Sequence, residues 1–105
     1  MPVNVPPPFI LKGNHVNIDV RTRDPSVDTL PFINVDEVRI TLTDPQGTIR
    51  VDNQVASLVS GRTGLYRLVY QTLTTHPSGE WIEDVTVVRG GAINREKGIA
   101  FTLHG

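Results

Sequence analysis

Residues 38–47 read V-R-I-T-L-T-D-P-Q-G, and this stretch decides the fold class. Its apolar residues Val38, Ile40 and Leu42 alternate with one arginine and two threonines. Alternation with a period of two is typical of a strand that is buried on one face and solvated on the other. The D-P-Q-G that follows places proline at the second and glycine at the fourth position of a type I turn. The stretch therefore predicts a strand, a tight turn and a second strand.

The same alternation recurs on both sides of this hairpin. Apolar and polar residues alternate over 16–20, 66–71, 81–87 and 101–103, and turn residues separate these runs at intervals of about 8–15 residues. Shorter strands near 48–51 and 54–58 bring the expected total to about seven. Two antiparallel sheets packed face to face bury this many half-apolar strands most economically. The sequence therefore predicts an all-β sandwich.

The predicted core consists of the inward-facing apolar residues of these strands. Trp81 is expected at its centre, with an indole N–H that needs a partner. Tyr66 opens a strand after a glycine, which predicts a tyrosine corner whose hydroxyl bonds back to the upstream backbone. The full expected core is Val16, Ile18, Val20, Val38, Ile40, Leu42, Leu58, Tyr66, Leu68, Tyr70, Trp81, Val85, Val87 and Phe101.

The start of the chain has a different composition. Proline occupies four of the first eight positions, and proline fixes φ and lacks a backbone donor. Residues 1–8 are therefore predicted to form an extended, polyproline-like arm, and residues 9–105 to form the sandwich. We expect Pro6, Pro7, Pro8 and Phe9 to lie against a neighbouring chain. The alternatives are a frayed tail or an arm folded over its own sandwich.

Composition restricts the classes of function. The chain has 105 residues, a net charge of −1 and no cysteine. One domain is expected, without disulfides or thiolate chemistry. The balanced charge disfavours a broad electrostatic contact with nucleic acid or an anionic membrane. Apolar runs of three or four residues are too short to span a bilayer, and the chain begins without a recognisable signal peptide.

The polar residues show no catalytic pattern. The three histidines, at 15, 76 and 104, are too scattered for a zinc motif and are predicted to be surface or turn residues. Glu80, Glu83 and Asp84 form the densest acidic group, with Glu80 and Asp84 on one strand face and Glu83 on the face of Trp81. A solvated strand surface is the preferred interpretation, and a cation site is the alternative. The predicted protein has no catalytic, cofactor-binding or metal-binding residues.

A second candidate for partner binding is the loop over residues 23–33. It contains two prolines and the apolar residues Leu30 and Phe32. Apolar residues in such a loop either cap the core or contact a partner, and both alternatives remain open.

Several motifs, in order along the chain, resemble those of small immunoglobulin-like domains. They are K-G-N at 12–14, V-R-I-T-L-T-D-P-Q-G at 38–47, T-G-L-Y at 63–66, P-S-G-E-W at 77–81 and a final F-T-L at 101–103. The D-P-x-G, T-G-x-Y and G-x-W elements are shared with macroglobulin-type domains of secreted proteins. They are also shared with stand-alone structural proteins of tailed bacteriophages, which the chain resembles more in its length and lack of cysteine. The resemblance implies an immunoglobulin-like sandwich.

For function, the resemblance to the phage proteins implies a non-enzymatic virion component, assembled in the host cytoplasm, that decorates or cements the capsid surface. Its expected partner is the major capsid protein or another virion protein, with self-association as a further option; neither nucleic acid nor a membrane is expected. One alternative is an accessory protein of the neck or tail. Another is an adhesion or glycan-binding module, which is disfavoured because nearly all aromatic residues are assigned to the core. An enzyme is the least favoured class.

Overall fold

The computed structural model describes residues 8–24 and 26–105. They form eight strands and no helix. The predicted arm lies almost wholly outside the described residues, which include only Pro8 of its length. The strands are β1 (Phe9–Leu11), β2 (His15–Arg21), β3 (Glu37–Thr43), β4 (Ile49–Val55), β5 (Ser57–Leu58), β6 (Leu65–Gln71), β7 (Gly79–Arg89) and β8 (Ala92–His104).

The strands build two sheets, as the alternation predicts. The wider sheet has five strands in the order β1-β8-β7-β3-β4, and the narrower has three in the order β2-β6-β5. The expected count of about seven misses one strand. The expectation of wholly antiparallel sheets is also wrong at one edge, where β1 runs parallel to β8 with Phe9 opposite Thr102. Among residues 8–24 and 26–105 there is no helix with the length and hydrophobicity that a membrane crossing requires.

The core lies between the sheets and closely follows the predicted pattern. Trp81, Phe101, Ile40, Leu42 and Val38 are fully buried. Val20, Tyr70 and Val87 are only partly buried and pack against the cluster. Among the described residues, three buried apolar residues were missing from the prediction: Ala56, Leu65 and Leu103.

Leu58 is the one clear error in the predicted core. Its side chain is 46% exposed. It pairs with Tyr66 and therefore lies on the inward face, but β5 is only two residues long and forms the outer edge of the narrower sheet. Alternation predicts which face of a strand a residue lies on. Whether other residues cover that face depends on where the strand lies in the sheet.

Trp81 is the centre of an aromatic cluster. Its ring centroid lies 5.2 Å from that of Phe101 and 5.3 Å from that of His76. The indole N–H donates to the carbonyl of Pro77 at 3.2 Å, which supplies the expected partner. His76 lies in a turn but is buried, contrary to a surface position. Burial lowers the pKa of His76, whose Nδ1 accepts a hydrogen bond from the backbone N–H of Leu73.

The turn between β3 and β4 is organised by the buried carboxylate of Asp44. One of its oxygens accepts hydrogen bonds from the backbone N–H groups of Gln46 and Thr48, and the other accepts one from Arg50 Nε at 2.8 Å. Burial on its own would raise the pKa of Asp44, but the hydrogen bond from Arg50 and the two from the backbone lower it. The predicted hairpin is therefore confirmed and is held by a charged side chain inside the turn.

At the opposite end of the sandwich, Tyr66 ties the two sheets together. Its hydroxyl donates to the carbonyl of Val35 and accepts from the N–H of the same residue, both at 2.9 Å. The predicted hydrogen bond to upstream backbone is present. Its partner lies 31 residues away, in the segment before β3. In a tyrosine corner the hydroxyl bonds to the backbone only a few residues upstream. The hydrogen bond of Tyr66 is therefore not a tyrosine corner but a link between the two sheets.

The two longest strands at the sheet edges differ in regularity. β4 pairs with β3 through two register shifts, and Asn53 within it has a φ of 49°. The N–H of Asn53 donates to Thr41 Oγ1, and its carbonyl accepts from Arg39. β2, at the edge of the narrower sheet, pairs with β6 in unbroken register from His15 to Arg21. One edge is therefore bulged and the other is regular.

Gly64 provides a test of how closely the backbone segments approach beside Tyr66. It has a φ of +71°, and an added Cβ would lie 2.7 Å from the carbonyl oxygen of Ile33 and 2.8 Å from that of Thr22. We expect Gly64→Ala to lower the free energy of unfolding by about 3 kcal/mol or more, because neither backbone can yield cheaply. Urea titration followed by Trp81 fluorescence measures the loss.

Gly61→Ala is the matched control. Its φ of +75° is similar, but nothing lies within 4 Å of its added Cβ. We expect Gly61→Ala to lower the free energy of unfolding by about 1 kcal/mol, because alanine must only adopt the left-handed conformation. Equal losses in the two variants would mean that the close approach at Gly64 does not matter.

Candidate binding surfaces

The first predicted surface lies on β1. Phe9 is 73% exposed. Its ring contacts His104 edge-on, with centroids 5.9 Å apart. Pro8 is exposed, and its carbonyl accepts a hydrogen bond from the N–H of Thr102. Leu11 is also exposed, so this short strand presents two apolar side chains to solvent. Pro6 and Pro7, the other members of this predicted surface, lie outside the described residues.

The second predicted surface is the loop before β3. Leu30 is 45% exposed and has a φ of 48°, a left-handed conformation that is strained for a branched residue. Phe32 is partly buried, and the guanidinium carbons of Arg21 and Arg23 lie 3.7 and 4.0 Å from its ring centroid. Arg23 also donates to the carbonyl of Leu30. Phe32 is thus packed under cations, and Leu30 points outward and does not cap the core.

The fold does not bring these two surfaces together. Phe9 is level with Thr102, which pairs with Glu80 near the start of β7. The loop of Leu30 lies at the other end of β7, where Asp24 forms an ion pair with Arg89. Residues 80 and 89 of one strand are separated by about 30 Å. Phe9 and Leu30 therefore belong to separate surfaces.

The acidic group on β7 divides between the two faces of the sheet, as alternation predicts. Glu80 is exposed, and Asp84 accepts a hydrogen bond from Arg95 on the outer face. Glu83 faces inward and is partly buried, and its Oε2 is a buried side-chain atom without a hydrogen-bond partner among the described residues. The interpretation of a solvated surface is therefore wrong for Glu83. Within the described ranges, no three His, Cys, Asp or Glu residues converge on a metal position.

Burial raises the pKa of the Glu83 carboxyl above its ordinary value of 4.5. The cause is desolvation, because removal from water disfavours the charged form. Sequence reasoning missed this site. The signal it offered was an ionisable residue on the same strand face as Trp81 and Val85.

The comparisons with known proteins give no relative. No family model matches the chain, and no curated protein or solved structure is significantly similar to it.

Replacing Glu83 should stabilise the protein near neutral pH. Folding raises the pKa of this carboxyl above its ordinary value of 4.5. Its contribution to the free energy of unfolding is therefore fully present below pH 4.5 and is lost as the pH rises through the raised pKa. We expect the free energy of unfolding of Glu83→Gln to exceed that of the wild type by up to about 1 kcal/mol near pH 7. The gain is limited because the side chain is only partly desolvated. Urea titrations across this pH range measure the difference.

Glu80→Gln, an exposed change on the other face of β7, should follow the wild type at each pH. The gap between wild type and Glu83→Gln should close as the pH falls towards 4.5, the ordinary value of the carboxyl. A gap that stays constant with pH would show that the ionisation of Glu83 is not its cause.

Proposed function

We propose that the protein is an immunoglobulin-like, non-enzymatic structural component of a virus particle, which attaches to the capsid surface as a decoration or cement protein. The strand order supports the immunoglobulin-like class. With strands named A to G in chain order, and β4 as C′, the sheets become B-E-D and A-G-F-C-C′. The B-E-D and G-F-C-C′ groupings are those of immunoglobulin sandwiches.

The role in a virion rests on the resemblance of the turn and core motifs to those of phage structural proteins. These motifs sit at structurally important positions. The D-P-Q-G turn carries the buried Asp44, the T-G-L-Y segment carries the close approach of Gly64, and the P-S-G-E-W segment supplies Trp81. Motifs of this kind specify a fold, and the role comes from the surfaces that the fold presents.

The observation that carries the docking proposal is the exposure of Phe9. Phe9 is a large aromatic residue on an edge strand, is 73% exposed and lies near exposed Leu11. It therefore offers apolar area that the described residues leave uncovered. The other aromatic residues are less available. Trp81, Phe101 and Tyr66 are buried, Tyr70 is partly buried against the core, and Phe32 lies under two arginines. This distribution favours a protein contact at β1 over a platform for stacking sugars.

Quantitative mass spectrometry of purified particles tests the function directly. Copies in the hundreds, in a fixed ratio to the major shell protein, are expected for a decoration protein. About five to a dozen copies, the number of a ring or a single vertex, would replace the capsid role with one at the neck or tail. Absence from particles would overturn the virion assignment.

The docking mode is tested by returning purified variants to particles from a strain that lacks the gene. Phe9→Ser should weaken attachment about tenfold or more, because burying a phenylalanine side chain contributes about 1.5–3 kcal/mol. Ile49→Ser is the matched control, since Ile49 is 57% exposed on β4 at the far edge of the same sheet. Both variants should keep the wild-type Tm. Equal binding by Phe9→Ser and wild type would exclude β1 as the docking surface.

A further inference from the structure

An open groove of about 900 Å³ lies between β2 and the inner face of the β7–β8 hairpin. Residues 19–23 form one wall, and residues of the β7–β8 hairpin form the floor, among them Glu83, Val85, Glu96 and Gly98. The groove exists because the sheets differ in width. The narrower sheet ends at β2, and residues 92–99 of β8 continue as exposed strand.

The wall of the groove is the outer edge of β2, which pairs with no other strand among residues 8–24 and 26–105. Near the two ends of β2, the N–H of Thr22 donates to the carbonyl of Gly64, and the carbonyl of Asn14 accepts from Thr72. Both even-numbered residues therefore face β6. Because successive residues of a strand point their N–H and C=O groups to opposite sides, Asp19 and Arg21 direct theirs away from β6 and towards the groove. The register of β2 is unbroken, so this edge is regular enough to accept another strand.

The floor of the groove carries two carboxylates, those of Glu83 and Glu96. Glu83 pairs with Gly98, and Val85 pairs with Glu96, which places the two carboxylates on diagonal positions of the same face. Nothing lies within 4 Å of a Cβ built on Gly98, so there is open space opposite Glu83. Among the described residues, Glu83 Oε2 is buried without a partner.

Five basic residues also line the groove, namely Arg21, Arg23, Arg89, Arg95 and Lys97, but among the described residues none of them forms an ion pair with Glu83 or Glu96. Arg95 donates to Asp84 on the outer face, where Lys97 pairs with the same residue in the strand register. Arg89 forms an ion pair with Asp24. The guanidinium of Arg21 lies over the Phe32 ring. The carboxylates of the floor therefore lack a cation from the described chain, and a buried acceptor without a donor is costly.

We propose that this groove binds an extended segment of another protein, which adds to β2 as a strand and directs a lysine or arginine side chain towards Glu83 and Glu96. The added strand supplies backbone partners to Asp19 and Arg21, and its basic side chain supplies a donor to the carboxylates. Residues 1–7 of the same chain, M-P-V-N-V-P-P, carry no basic side chain and include three prolines without N–H donors. The charge of the floor therefore favours a different polypeptide. This surface is separate from Phe9, and the inference does not depend on the proposed virion role.

The test uses a library of acetylated and amidated peptides of about seven residues, the length that matches β2. We expect the bound peptides to be enriched in lysine or arginine at one position, with alternate positions tolerant of β-branched residues. Their affinity should fall about tenfold or more in Glu83→Gln, because a charge-assisted hydrogen bond is lost. Glu80→Gln, on the opposite face of the same strand, should bind like the wild type. No enrichment, or equal affinity in the two variants, would overturn the proposal.

Amide hydrogen exchange measured by NMR provides the backbone test. Binding of a selected peptide should slow exchange at Asp19 and Arg21 and leave Ile18 and Val20, which already face β6, almost unchanged. Replacing one residue of the peptide by proline should abolish this protection. Unchanged exchange at Asp19 and Arg21 would exclude strand addition. Protection of the same amides in the protein alone would also overturn the proposal: if it increases with concentration the occupant is a second copy, and if it does not the occupant belongs to the same chain.

Discussion

The narrower sheet determines how much of the wider sheet is buried, and most features of the molecule follow from this constraint. Three strands cannot cover five. The covered part holds Trp81, Phe101 and Leu103, which are almost completely removed from water. The uncovered parts include β4, which is exposed at all but one position, and the exposed half of β8. Glu83 lies at the boundary, with enough burial to desolvate its carboxyl and too little protein around it to supply a partner.

The two ends of the sandwich are closed by different chemistry. At one end, the carboxylate of Asp44 collects two backbone N–H groups and the Arg50 side chain inside a hairpin turn. At the other, the hydroxyl of Tyr66 bonds both polar groups of the Val35 backbone, beside the close approach at Gly64. Both arrangements satisfy backbone groups that a short loop would otherwise leave unpaired. Loops fixed in this way hold their neighbouring surfaces in one geometry.

The sequence predicted the layers of the fold well and the surfaces less well. Alternation placed Val16, Ile40 and Trp81 in the core because a strand's period is local and does not depend on distant residues. It placed Leu58 and Glu83 on the inward face, but the burial predicted for Leu58 and the solvated surface predicted for Glu83 are wrong, because they depend on which other strand covers the position. It also missed the parallel pairing of β1 with β8, since pairing between the two ends of a chain leaves no local pattern.

The surroundings of the candidate binding residues also depend on distant parts of the chain. Phe9 is exposed at the start of β1, and its role in contacts stays a prediction. Phe32 was expected to cap the core or meet a partner, and both remain predictions. Its partly buried ring is packed under Arg21 and Arg23, which lie about ten residues earlier in the chain. The groove beside β2 could not be predicted from composition or motifs, because it results from the unequal widths of two sheets.

The irregularity of β4 limits how this molecule can assemble. A sheet with two long, regular edges can join copies of itself without end, and such growth leads to fibrils. In the wider sheet, the register shifts and the left-handed Asn53 make the β4 edge irregular. The regular β2 edge belongs to the narrower sheet, whose opposite edge is the two-residue β5. A strand that joins β2 therefore finds no matching long edge across the same sheet from which growth could continue.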